Sequence, residues 1–328
     1  MSAAVLYKLL AIFLTVGIGW FAGRMRWLGE REDSSDPARV LSNAAFYIFV
    51  PALLFRATSR IPFSTLPWLT LAAFFGPAIL LSLSVYGWQR RRNRDGALPV
   101  AAPSVRTVTA GLGNTLQLGV PVAAAVFGET GLALHISIMS LHSLILLTLP
   151  TLLVEFDIGR ARHDQDDNGR LLRTLKTTVR NAVIHPAVSP VLAGLSWNAV
   201  GLPIPAVIDE VLALLGTAVS PLCLVLIGMS LAYYGLGGSV RGMLLLGVLK
   251  LLVLPGLVLI AGHWVFGLSG LPLGVVVMLA AVPTGSNALI FAQRYRALED
   301  ETTSATVIST FAFVPTAPLW LAILGWVG

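Results

Sequence analysis

The stretch Gly111-Leu112-Gly113-Asn114-Thr115-Leu116-Gln117-Leu118-Gly119-Val120-Pro121 lies in the middle of an apolar segment long enough to cross a bilayer. It nonetheless carries three glycines, the amides of Asn114 and Gln117, the hydroxyl of Thr115 and a proline. Pro121 has no N–H, and its ring clashes with the preceding turn, so a continuous helix is not expected there. Inside hydrocarbon, irregular backbone is tolerated only where protein buries it or where it lines a watery cavity. The second half of the chain holds a stretch of the same kind, Ala281-Val282-Pro283-Thr284-Gly285-Ser286-Asn287. Interruptions in corresponding positions of two halves point to the substrate site of a transporter. The competing reading is a pair of proline-kinked helices that serve close packing alone.

Composition narrows the class. Of 328 residues, 56% are hydrophobic and 12% charged, with a mean hydropathy of +0.81. A soluble domain carries roughly 25% charged residues, so the chain reads as an all-α polytopic membrane protein. Its one cysteine, Cys223, excludes disulfides and cysteine-based metal clusters. The formal charge of +6 sits mostly in short loops between apolar runs. That pattern reads as membrane topology and not as a nucleic-acid footprint. The first apolar run lacks a basic start, and Arg24 and Arg26 follow it where a cleavage site would stand, so it reads as a retained helix.

At about 20 apolar residues per span, ten spans are expected. They cover roughly 4–23, 38–57, 65–88, 105–127, 132–154, 179–200, 207–234, 243–266, 272–292 and 303–328. The polar segment 155–178 divides them into a first repeat, 1–154, and a second, 179–328. The breaks fall in spans four and nine, the fourth of each five. An odd number of spans per repeat forces opposite orientations, so the expected fold is two inverted repeats of five helices with broken helices 4 and 9. Of 22 lysines and arginines, 18 then fall on one side, against Arg56 and Arg60 on the other. Positive charge marks the cytoplasm, which sets both termini outside.

A broken helix offers N–H groups at one half-helix end and carbonyls at the other. Half-helix N-termini at mid-membrane suit carboxylates. Asn114 and Asn287 add two donors and an acceptor each, and inverted symmetry is expected to bring them together. Thr115, Gln117, Pro121, Pro283, Gly285 and Ser286 complete the two breaks, and Asn43 and Tyr47 share one face of the second span with Pro51. Lys250 lies inside the eighth span, where a charge is a functional hypothesis by default, although a lysine near a helix end also snorkels, as Lys8 is expected to. His135 and His142, two turns apart on the fifth span, fit either a proton relay or packing; Lys250 and His142 are the candidate coupling residues. Asp209 and Glu210 suit the N-terminus of the seventh span. The interior is otherwise poor in carboxylates, which argues against an ion site built from buried Asp or Glu. No metal site or cofactor is expected. Neither G-x-S-x-G nor H-E-x-x-H occurs, which argues against an enzyme. Internal duplication argues for alternating access over a channel.

Three motifs in order resemble one family, the auxin efflux carriers. They are Asn43-Ala44-Ala45-Phe46-Tyr47-Ile48-Phe49-Val50-Pro51-Ala52-Leu53-Leu54-Phe55; Gly113-Asn114-Thr115 with Leu118-Gly119-Val120-Pro121 and Phe127-Gly128-Glu129-Thr130-Gly131; and Pro283-Thr284-Gly285-Ser286-Asn287 with Phe291-Ala292-Gln293-Arg294-Tyr295. The resemblance covers essentially the whole chain. It implies a crossover of helices 4 and 9 with Asn114, Pro121, Pro283 and Asn287 at the crossover positions. It also implies an elevator-like split into scaffold and transport domains, a small organic anion as substrate, and two protomers per assembly. The short central segment sets the chain apart from the larger plant carriers and points to a bacterial inner-membrane protein. A sodium- or proton-coupled carrier of a different solute is the alternative.

Overall fold

The computed structural model describes residues 3–29, 37–60, 67–93, 95–163, 189–234 and 239–327. The described residues are helical and form no strand beyond one isolated bridge. The helices are α1 (Ala3–Arg24), α2 (Pro37–Ala44), α3 (Val50–Thr58), α4 (Trp68–Arg92), α5 (Ala102–Gly111), α6 (Val120–His163), α7 (Ser189–Val200), α8 (Ala206–Tyr234), α9 (Val240–Val248), α10 (Leu254–Ile260), α11 (Gly270–Ala281), α12 (Asn287–Arg294) and α13 (Glu299–Val327). Among them are six apolar stretches long enough to cross a membrane: Pro37–Thr58, Trp68–Arg92, Val122–Ala161, Ala206–Tyr233, Val240–Val265 and Glu299–Val327. Many of their large apolar side chains, such as Leu80, Leu214 and Trp326, face outward. An exposed apolar surface of this extent is what lipid covers.

Proline placement explains how several helices are built. Besides Ala261–Val265, which no proline follows closely, wide π-turns occupy Ala45–Phe49, Thr115–Gly119 and Leu249–Val253. Each ends two residues before a proline: Pro51, Pro121 and Pro255. The carbonyl four residues before a proline would clash with its ring. Those carbonyls belong to Tyr47, Gln117 and Leu251, so each lies inside the wide turn, which opens the helix around the clash. At the third turn the carbonyl of Leu251 accepts a hydrogen bond from Trp320 Nε1 at 2.7 Å.

The breaks expected in two apolar segments are present. The first runs from the end of α5 through Leu112–Asn114 into the π-turn, and α6 follows. Gly128, at φ 64° and ψ −161°, then kinks α6. A positive φ is open to glycine at little cost, so this residue turns the chain within α6. The second break separates α11 from α12. Some ends differ from expectation. The helix expected to stop at 154 continues to His163, and the last helix starts at Glu299 instead of 303. The acidic first turn Glu299-Asp300-Glu301 suits a helix N-terminus. Most of the central polar segment, and the start of span six with His185, lie outside the described residues.

The helices pack as two groups. In one, α1 and α3 lie against α8, and α7 against α3. Glycines permit the closest approach: a Cβ on Gly19 would strike the Val225 carbonyl, and one on Gly228 the backbone of Val16 and Trp20. Small residues are what let membrane helices meet this closely. In the other group α4, α6, α10 and α13 surround α11, of which every residue from Leu273 to Ala281 is buried, and α5 and α9 pack on those neighbours. A helix apolar on all sides belongs in such a centre. Arginine–carboxylate pairs knit one end of the molecule. Arg106 binds both oxygens of Glu301 at 2.7 and 2.8 Å and Gln89 at 2.8 Å, and Arg39 binds Glu299 at 2.8 Å.

Candidate functional site

The two breaks cross. Asn114 N–H donates to Pro283 O at 2.8 Å, and Gly285 N–H donates to Leu112 O at 2.9 Å. They form an antiparallel bridge between Gly113 and Thr284. Each irregular segment thereby satisfies the backbone of the other, which is how non-helical chain survives deep in a membrane protein. The contact needs glycine: a Cβ on Gly285 would lie 2.9 Å from the Gly113 carbonyl oxygen, and one on Gly113 would press on Val282 and Lys250.

Side chains complete the crossover. Thr284 Oγ1 donates to Thr109 O at 2.9 Å, and Thr284 N–H donates to Ser309 Oγ at 3.2 Å. Lys250, 1% exposed, donates from Nζ to Ala280 O at 2.5 Å. It does not snorkel; the π-turn carries it inward to the C-terminal end of α11, where a cation meets the negative end of the helix dipole. His142 Nε2 lies 3.5 Å from Gly113 N, with its ring tilted on Phe74. His135 Nε2 lies 2.9 Å from Thr115 O. Both histidines thus serve the crossover backbone, and Gly119 leaves the space that the His135 ring fills.

In front of the crossover lies a cavity of about 440 Å³ between the two helix groups. Leu112 to Leu116, Gly285, Ser286 and Asn287 form its floor, α6 contributes Ser137, Ser140 and Ser143, and α3 lines it as far as Arg56 and Arg60. Of the residues singled out in the sequence, Asn114, Thr115, Gly285, Ser286 and Asn287 meet here. Pro283 is buried behind them in the bridge. The side chains of Gln117 and Pro121 lie outside what is described. Asn43 and Tyr47 are not brought to the cavity. The packed face of α2 and its π-turn carries Ala38, Ser42, Ala45 and Phe46, which leaves Asn43 and Tyr47 exposed, with Arg294 5.3 Å from the Tyr47 ring centre. Lys250 and His142 stand behind the crossover and do not line the cavity.

The asparagines are both at the site but not in equivalent places. Asn114 sits in the bridge, and its carbonyl accepts from Gly119 N–H at 3.1 Å to start the π-turn. Asn287 opens α12, with its Oδ1 3.9 Å from Cys223 Sγ. The bridge sets Asn114 opposite Pro283, and the approximate two-fold that relates Gly113 to Thr284 makes Gly285, not Asn287, the counterpart of Asn114. Among the described residues no group of three or more His, Cys, Asp or Glu side chains is placed to hold a metal.

A family model described as membrane transport protein matches residues 4–321. The chain belongs to this family, that of the auxin efflux carriers. An uncharacterized transporter of Methanothermobacter thermautotrophicus is 28% identical over 318 residues, covering 96% of this chain and 97% of the relative. The uncharacterized transporter YfdV of Escherichia coli is 25% identical over 324 residues, 96% of each chain. Auxin efflux carrier component 8 of Arabidopsis thaliana is 22% identical over 356 residues, 95% of each. The protein is therefore a multi-pass membrane transporter.

Several participants at this transporter's candidate site were not singled out in the sequence. The hydroxyls of Thr284 and Ser309 close the crossover, and three serines of α6 face the cavity. Serines at 137, 140 and 143 recur at helical spacing, and that periodicity was the available sign. The partnership of Arg56 with Asp209, across 153 residues, had none.

Proposed function

We propose that the protein carries a small organic anion across the bacterial inner membrane, bound in the cavity at the crossover. The observation that carries this reading is the convergence of both broken segments on one cavity whose only charged lining residues, among those described, are arginines. The N-terminal end of α12 faces the same space with Asn287, and a helix N-terminus with amide donors suits a carboxylate. The cavity lies between two packed groups of helices, which supports alternating access of the elevator kind, one group moving against the other. Ten spans in two inverted repeats, 1–154 and 179–328, with both termini outside and two protomers per assembly, complete the proposal.

The test is uptake of labelled acetate, malonate and indole-3-acetate into proteoliposomes, with and without imposed sodium and proton gradients, and binding by scintillation proximity. Asn114→Ala and Asn287→Ala each remove donors and leave a buried partner unpaired, a loss of about 1–3 kcal/mol, or about tenfold to a hundredfold in affinity. Asn→Asp at either position sets a negative charge against the anion and is expected to be worse than Ala. Tighter binding in the Asp variants would overturn the anion reading. Unchanged affinity in all four variants would move the site away from the crossover.

A further inference from the structure

At the end of the cavity away from the crossover, Arg56 stands in the last turn of α3 and Arg60 just beyond it. Both reach one carboxylate, that of Asp209 in the first turn of α8. Arg56 Nε lies 2.9 Å from Oδ1 and its Nη2 lies 3.4 Å from Oδ2, and Arg60 Nη2 meets the same Oδ1. Two guanidiniums therefore share a single carboxylate, which leaves one positive charge uncompensated. Every other described residue lining the cavity is uncharged.

We propose that Arg56 and Arg60 form a second carboxylate-binding subsite at the mouth of the cavity, which Asp209 fills in this structure and the substrate anion takes over on its way to the crossover. The inference rests on reading the cavity as an anion path. Asp209 acts as an intramolecular stand-in and displays the geometry that the subsite offers. A guanidinium presents its N–H groups as a planar fork, and that fork matches a carboxylate and not a neutral solute. The exchange is feasible because the clasp is open to water. The side chains of Arg56, Arg60 and Asp209 are 33%, 49% and 20% exposed, and ion pairs so exposed are weak. One carboxylate replaces another on the same donors, so no buried charge is stranded during the swap. Charge of one sign at the mouth of a low-dielectric cleft also raises the local concentration of the opposite ion.

The experiment compares wild type, Asp209→Asn, Arg56→Gln/Arg60→Gln and Arg56→Lys/Arg60→Lys as full-length protein. It measures labelled malonate binding and initial uptake rate at low and high sodium chloride, with each elution profile and melting temperature recorded. Freeing the arginines in Asp209→Asn is expected to tighten malonate binding and steepen its salt dependence. The double Gln variant is expected to lose uptake at low substrate by about tenfold or more and to flatten the salt dependence. The double Lys variant, which keeps the charge but not the fork, is expected to fall between, and it serves as the test if the Gln variant does not fold. Weaker binding in Asp209→Asn, alongside equal losses in the arginine variants and a shared drop in melting temperature, would make the cluster a structural clasp between α3 and α8 and overturn the subsite. Wild-type binding of malonate with no change in either arginine variant would overturn the subsite alone. Wild-type protein that binds none of the anions would overturn the anion path as well.

Discussion

The two half-helices that end at the crossover, α5 and α11, meet the same problem with different chemistry. In each, the chain leaves the helix and the carbonyl one turn from the break loses its partner. In α5 that carbonyl is Thr109, and the hydroxyl of Thr284 caps it at 2.9 Å. In α11 it is Ala280, and the ammonium of Lys250 caps it at 2.5 Å. The N–H that would have closed each helical bond is also diverted. Gly113 N turns toward His142 and Thr284 N toward Ser309. The bridge relates the two ends by an approximate two-fold, so one is a neutral copy of the other's charged cap. The lesson is that pseudo-symmetry here is a property of the backbone, while the side chains that serve it are free to differ. A buried lysine on one side alone gives the crossover an asymmetry that its backbone lacks.

The largest expected effect tests the shared backbone. Gly285→Ala sets a Cβ 2.9 Å from the Gly113 carbonyl oxygen, a backbone atom held by the bridge. Overpacking against backbone that cannot shift is expected to cost about 3 kcal/mol, seen as a large fall in melting temperature in detergent. Gly113→Ala meets a Val282 methyl and the end of Lys250 instead, so a smaller loss is expected. Gly247→Ala, with nothing within 4 Å, is the control and is expected to be neutral or slightly stabilising. Equal losses at Gly285 and Gly247 would mean that the bridge is not tight.

Next comes the charged cap. Lys250→Met keeps most of the volume and removes the donor to Ala280, at an expected cost of about 2 kcal/mol. Thr284→Val does the same to the neutral cap of α5 and is expected to cost about 1 kcal/mol. If Lys250→Met instead raises the melting temperature, the desolvation of the buried ammonium exceeds what the cap returns. Lys250 would then be retained for transport and not for stability, and the measurement of anion uptake in the same variant decides that.

The breaks themselves were legible because proline, glycine and asparagine inside an apolar run conflict with a continuous helix. Prolines also stand two residues beyond three of the π-turns, where each fixes a carbonyl that must move, while the π-turn Ala261–Val265 has no such mark. The residues of the breaks that line the cavity, Asn114, Thr115, Gly285, Ser286 and Asn287, were singled out by the same conflict. What stayed hidden depends on pairing across long separations. Lys250 was ambiguous because its span alone does not say which helix end it faces. Asn43 and Tyr47 shared a helical face, but spacing does not tell which face packs. The buried Arg106–Glu301 pair joins residues 195 apart, and the expected start of the last span at 303 left Glu301 outside it. The two asparagines meet at one cavity, but motif position does not fix register; the bridge makes Gly285 the counterpart of Asn114.

The smallest expected effect concerns the diverted N–H groups. Thr284 N–H donates to Ser309 Oγ at 3.2 Å, and Ser309 Oγ itself donates to Thr306 O at 3.0 Å, so the serine is held in place as an acceptor. Ser309→Ala leaves a buried N–H without that partner, and a cost of about 1 kcal/mol is expected. On the other strand the Gly113 N to His142 Nε2 separation of 3.5 Å is at the limit of a hydrogen bond. His142→Phe is therefore expected to disturb that amide less, while its ring still packs on Phe74. Hydrogen exchange read on peptides covering 112–114 and 282–286 separates the two: faster exchange is expected at the second strand in Ser309→Ala and little change at the first in His142→Phe. Faster exchange at the first strand in His142→Phe would show that the imidazole is a true acceptor there. The crossover would then be held by side chains equally on both sides, and its asymmetry would reduce to Lys250 alone.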